Sequence, residues 1–96
     1  MYAKKVDLTQ KEIVAALRKM ECSVFHLHTV GLGCPDLLVG IDGRTYLVEV
    51  KKDEKAKYTD AQLKFMTEWR GAPVVRLNSE KDAIAFVNSK DKTLLL

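Results

Sequence analysis

The sequence predicts an α/β fold: a mixed sheet flanked by helices, in the order α-β-β-β-α-β-α. Three observations predict it. Apolar residues recur at helical spacing in segments 8–21, 59–70 and 80–89. Two strand-like runs, 36–41 and 45–51, are separated by Asp42-Gly43, a strong hairpin-turn signal. A helix then lies between the second run and a short apolar segment at 73–77. Strand, helix and strand over 45–77 therefore form a βαβ unit, with parallel strands and a right-handed crossover. The 96 residues suit one domain with one core.

The first helix carries Ile13, Leu17 and Met20 on one stripe, with Ala16 between them, and Thr9 with Glu12 matches an S/T-x-x-E capping box at its start. Residues 23–29 alternate, Val24, His26 and His28 against Phe25, Leu27 and Thr29, which predicts a strand. In the loop that follows, Gly31 and Gly33 are free to take positive φ. Thr59 and Gln62 form a second capping box, Tyr58 and Leu63 a hydrophobic staple around it, and Phe65, Met66 and Trp69 the apolar face of that helix. Gly71 is placed to end it at C′, with Pro73 just beyond. Ser79 caps the last helix, whose Ala83, Ile84, Phe86 and Val87 face the core. The tail Thr93-Leu94-Leu95-Leu96 is apolar and reads as an added strand or as cover for a partner subunit.

Composition excludes several classes. No apolar run approaches the length that spans a bilayer, and the N-terminus turns polar at once, so a cytoplasmic protein without a signal peptide is expected (host-cell cytoplasm if phage-encoded). Cys22 and Cys34 form no CxxC pair and read as reduced thiols, and His26 and His28 are too few for a zinc site. The net charge of +3 does not by itself prove a polyanionic partner. Local clustering says more: Lys51, Lys52, Lys55 and Lys57 crowd one stretch, as a solvated loop or as a patch for phosphates.

The chemistry is concentrated in Pro35-Asp36 and Glu49-Val50-Lys51. A two-residue loop at Asp42-Gly43 pairs Ile41 with Arg44, and counting back brings Asp36 opposite Glu49. Directly opposed residues have Cβ atoms about 4.5–5.5 Å apart, where like charges repel. Lys51, two residues beyond Glu49, projects from the same face. Two carboxylates so placed suit a shared divalent cation such as Mg²⁺, with the Val50 carbonyl as a further oxygen ligand. Such an ion polarises a phosphate and lowers the pKa of a bound water, and Lys51 stabilises the charge that develops. The pattern points to phosphodiester hydrolysis. The bland alternative, an edge-strand charge cluster neutralised by Lys51, leaves the opposition of Asp36 to Glu49 unexplained.

At these residues the chain resembles the PD-(D/E)xK nuclease superfamily. The succession Gly31-Leu32-Gly33-Cys34-Pro35-Asp36-Leu37-Leu38-Val39-Gly40, Tyr46-Leu47-Val48-Glu49-Val50-Lys51 and Thr59-Asp60-Ala61-Gln62-Leu63 is similar to the VRR-NUC family, especially its small stand-alone viral and bacteriophage members. The resemblance implies a restriction-endonuclease-like domain over 1–96 that cleaves DNA with Mg²⁺ or Mn²⁺. It makes Asp36 and Glu49 metal ligands with the Val50 carbonyl, and Lys51 the catalytic lysine. It adds Gln62 beside the active site and Glu12 as an acid on the first helix, although capping also accounts for both. Lys52, Lys55 and Lys57 then bind nucleic acid. A homodimer acting on branched DNA is the implied form, with Leu94-Leu95-Leu96 and the exposed part of helix 59–70 as interface candidates. The alternative is a non-catalytic DNA-binding or assembly module on the same fold. Nothing in the sequence reads a 2′-hydroxyl, which ranks RNA cleavage low.

Overall fold

The computed structural model describes residues 7–89, so the apolar tail lies outside the described residues. The elements are α1 (Leu8–Lys19), β1 (Ser23–His26), β2 (Leu37–Ile41), β3 (Arg44–Val50), α2 (Asp60–Glu68), β4 (Val75–Leu77) and α3 (Glu80–Asn88). The order is the expected one. The strands form a mixed sheet in the order β1-β2-β3-β4, antiparallel except for β4, which runs parallel to β3.

Period-2 alternation divides the sheet into two unlike faces. Val24, Leu37, Val39, Tyr46, Val48, Val50, Val75 and Leu77 point one way and are buried under α1 and α3. Ile13 and Leu17 of α1 and Ala83 and Phe86 of α3 close this core, and Tyr46 meets Phe86 edge-on at 5.3 Å. The opposite face carries Asp36, Leu38, Leu47, Glu49 and Arg76, and α2 lies on that side.

The hairpin has the derived register, Ile41↔Arg44 through Leu37↔Val48. Its turn uses Asp42 at φ 52° and Gly43 at φ 74°, the left-handed pair that matches the twist of a two-residue hairpin. The β2–β3 ladder ends at Leu37↔Val48, two residues after Pro35, which has no N–H to give. β1 is shorter than the predicted 23–29. It ends at His26; Leu27 donates one more bond to the Asp36 carbonyl at 2.7 Å and the chain then turns, with Val30 N–H bonded to Leu27 O.

Several local expectations are corrected. Asp7, not Thr9, caps α1, accepting the Gln10 amide at 2.8 Å. The two candidates lie two residues apart, and the acidic side chain takes the first turn. Gly71 is not a C′ residue: α2 ends at Glu68 with Trp69 extended at the cap, and Gly71 instead makes room for the Trp69 indole, which a Cβ would meet at 2.7 Å. No residue of α2 is fully buried; Leu63 and Trp69 are about half exposed, and Phe65 stacks on Trp69 at 5.4 Å. The Tyr58 ring also lies within reach of two cations, Lys51 and Arg76. Ile84 of α3 is also largely exposed. The Thr59–Gln62 capping box and the Ser79 cap are both present.

Candidate active site

The site is built where β3 ends. Asp36 sits one place beyond the last rung of the hairpin, opposite Glu49 by continuation of the register. Its Oδ2 accepts the Val50 amide at 2.8 Å, satisfying a strand donor at the point where the ladder stops. Glu49, on the same side of the sheet, is only 4% exposed although it is an acid. Burial pushes its carboxyl up to about 7, the neighbouring Asp36 charge pushes in the same direction, and Lys51 pulls it back. The two carboxylates therefore oppose each other's charge. The Cys34 thiol, two residues before Asp36, is raised by burial and then by both carboxylates. It forms no disulfide with Cys22.

Lys51 and Gln62 complete the cluster. Lys51 Nζ lies 3.5 Å from Glu49 Oε2 and donates to Gln62 Oε1 at 2.9 Å. Gln62 Nε2 donates to Glu49 Oε2 at 2.8 Å, and Gln62 Oε1 also accepts the Thr59 amide at 2.9 Å. The amide thus touches the acid and the lysine, and closes the capping box of its own helix. One side chain closes the cap and reaches both Glu49 and Lys51. The Tyr58 ring lies beneath both Lys51 (5.5 Å) and the Arg76 guanidinium (5.0 Å).

Arg76 is a residue the sequence reading missed. It pairs with Glu49 across β3 and β4, yet its guanidinium turns to the basic loop. It donates to the carbonyls of Asp53 (2.8 Å) and Ala56 (2.7 Å), and to Asn78 Oδ1 (2.8 Å). Asp53 Oδ1 takes the amides of Lys55 and Ala56 at 2.9 and 3.0 Å. The segment carrying Lys52, Lys55 and Lys57 is therefore an ordered loop with its lysines exposed. The available signal was a lone arginine between buried Val75 and Leu77, which must face the other side of the sheet.

Glu12 is not brought into the cluster. It is exposed on α1, and the buried polar residue there is Gln10, about 200° away around the helix. Gln10 Nε2 meets His26 Nδ1 at 3.3 Å, and the His26 and His28 rings lie edge to face at 5.8 Å. His26 pairs in the sheet with Leu37, the residue after Asp36, while its ring reaches Gln10 of α1.

The donor set fits a hard divalent cation. Two facing carboxylates are present, one of them buried, with the Val50 main chain next to them. Among the described residues no group of three or more His, Cys, Asp or Glu side chains comes together, so the remaining ligands would be main-chain oxygen and water.

A solved structure described as a VRR_NUC domain matches this chain with a TM-score of 0.72 at 31% identity, over 86% of this chain and 94% of that one. This chain belongs to the VRR-NUC family. No family model and no curated protein matches it. The VRR-NUC relationship makes the fold nuclease-like, and the alignment of acids, lysine and glutamine derived above lies within that fold. Among the described residues no helix is long and apolar enough to cross a membrane.

Proposed function

We propose that residues 1–96 form a single nuclease domain that hydrolyses DNA phosphodiester bonds with Mg²⁺ or Mn²⁺, as an endonuclease on branched DNA and as a homodimer. The buried Glu49, held against Asp36 and bonded to both Lys51 and Gln62, is the observation that carries this reading. Folding alone would not favour two acids placed so. Asp36, Glu49 and the Val50 carbonyl would hold the ion, which when bound supplies a polarised phosphate and a water of lowered pKa. Lys51, fixed by Glu49, Gln62 and Tyr58, stabilises negative charge on the phosphate as the bond to the leaving oxygen breaks. Gln62 orients that lysine and the Glu49 carboxylate. Lys52, Lys55 and Lys57, on the loop that Arg76 orders, bind backbone phosphates and give the affinity a steep salt dependence. The half-exposed Leu63 of α2 and Trp69 at its C-cap support a homodimer, since apolar residues on and beside a helix with no buried position are available to a second copy.

Incubation with a four-way junction, supercoiled plasmid and linear duplex, each with Mn²⁺, Mg²⁺ or EDTA, tests this. Metal-dependent cutting of the junction is expected, lost by about a hundredfold or more in Asp36→Asn and Lys51→Ala. Binding of junction without cutting under any metal would favour the non-catalytic module, and full activity in either variant would reject the site.

A further inference from the structure

The contact between the loop before Asp36 and the first turn of α2 assigns a role to a residue with no side chain. Gly31, Leu32 and Gly33 all have positive φ, at 80°, 57° and 76°, and Cys34 N–H closes the turn on Gly31 O at 3.0 Å. The turn brings Gly33 against the Ala61–Gln62 peptide. A Cβ at Gly33 would overlap the Ala61 carbonyl and lie 2.8 Å from the Gln62 nitrogen. These are backbone atoms, so no side-chain rotation relieves the overlap. At Gly31, by contrast, a Cβ meets nothing within 4 Å.

The peptide that Gly33 touches is the one that carries Gln62. Its nitrogen is held by Thr59 Oγ1 at 3.1 Å, and its side chain is bonded to Glu49 and Lys51. No residue of α2 is fully buried, so core packing constrains this helix less than α1 or α3, which bury Ile13 and Leu17 or Ala83 and Phe86. We propose that Gly33 is a positioning residue: its missing Cβ is the notch that seats the first turn of α2 against the Asp36 loop, and so sets where Gln62 meets Glu49 and Lys51. The Asp36 loop and the Gln62 helix, far apart in sequence, are thereby registered by direct backbone contact. The consequence for rate rests on the nuclease reading; the seating itself does not.

The test compares Gly33→Ala with Gly31→Ala. Both force alanine into the left-handed region and incur the same backbone strain, but only the first fills the notch. Two readouts are taken: the NMR signal of the Gln62 side-chain amide, and metal-dependent junction cleavage in wild type, both alanine variants, Gln62→Leu and the double variant Gly33→Ala/Gln62→Leu. In Gly33→Ala the Gln62 amide signal is expected to move to that of a solvated glutamine, while Gly31→Ala keeps it. A misplacement of about 1 Å at a catalytic group lowers the rate by roughly a hundredfold, so kcat of Gly33→Ala should fall on that scale with KM little changed. Because Gly33 acts through Gln62, the double variant should cleave no more slowly than Gln62→Leu alone. Equal losses in Gly31→Ala and Gly33→Ala, additive losses in the double variant, an unmoved Gln62 signal, or unfolding of Gly33→Ala alone would each overturn the proposal. Absence of cleavage in wild type would reject the nuclease reading and leave the NMR comparison to decide the seating.

Discussion

The two faces of the sheet are held by different physics. One is closed by α1 and α3 over a continuous apolar core in which Ile13, Leu17, Leu37, Val39, Val48, Val75 and Phe86 are fully buried. On the other, α2 buries no residue fully; the bonds of Gln62 join it to the end of β3, and the close approach of Gly33 joins it to the loop before β2. Apolar burial is non-directional and stabilises in proportion to area. Hydrogen bonds and backbone contacts fix position and contribute little net stability. The first face should therefore set how stable the protein is, and the second what it can do.

The largest expected effect on stability lies in the core. Phe86→Ala should destabilise by about 3–5 kcal/mol in urea unfolding, through lost burial and the cavity left beneath Tyr46. A cost below about 1 kcal/mol would break the division between the faces, because it would mean the core is not held where the packing indicates.

On the site face the sign reverses. Burial and the Asp36 charge push the Glu49 carboxyl up to about 7 from its ordinary 4.5, so between these values the folded state favours a proton that the unfolded state loses. Without metal, the contribution of this group is fully favourable below about pH 4.5 and is lost as pH rises through about 7. The total is on the order of 3 kcal/mol, or about 2 once solvent screening is allowed for. Glu49→Gln should flatten that pH dependence and raise the melting temperature of the metal-free protein at pH 8 while abolishing activity. A variant less stable than wild type at pH 8 would show that the buried charge is fully compensated in the fold.

The smallest effects distinguish the two helix starts. Removing the α1 cap with Asp7→Ala should cost about 1 kcal/mol and leave activity intact, whereas Thr9→Ala should be nearly neutral. Thr59→Ala should cost a similar amount of stability but also lower activity, since Thr59 holds the same residue that reaches Glu49.

What was legible in the sequence follows from the range of the interactions involved. The hairpin register and the facing of Asp36 and Glu49 could be derived because Asp42-Gly43 dictates the turn and the strand period does the rest. The Thr59–Gln62 box was legible for the same reason: both partners are three residues apart. The cap of α1 was read two residues late because Asp7 and Thr9 are both competent, and only the first turn's geometry selects one. How far the apolar face of α2 is covered was not legible, because periodicity reports which residues share a face, not what covers it. Arg76, Tyr58 and the Gly33 notch depend on contacts between distant segments, and single-sequence patterns carry no such distances.

The central claim is that Asp36 and Glu49 form a divalent-cation site on a face whose integrity is separate from the core. Calorimetric titration of Mn²⁺ into wild type and Glu49→Gln at neutral pH tests it most directly, with circular dichroism recorded on both. Saturable binding in wild type, with release of the proton that Glu49 otherwise holds, and its loss in a fully folded Glu49→Gln is the predicted result. Equal Mn²⁺ binding in both proteins, or none in wild type at millimolar metal, would contradict it.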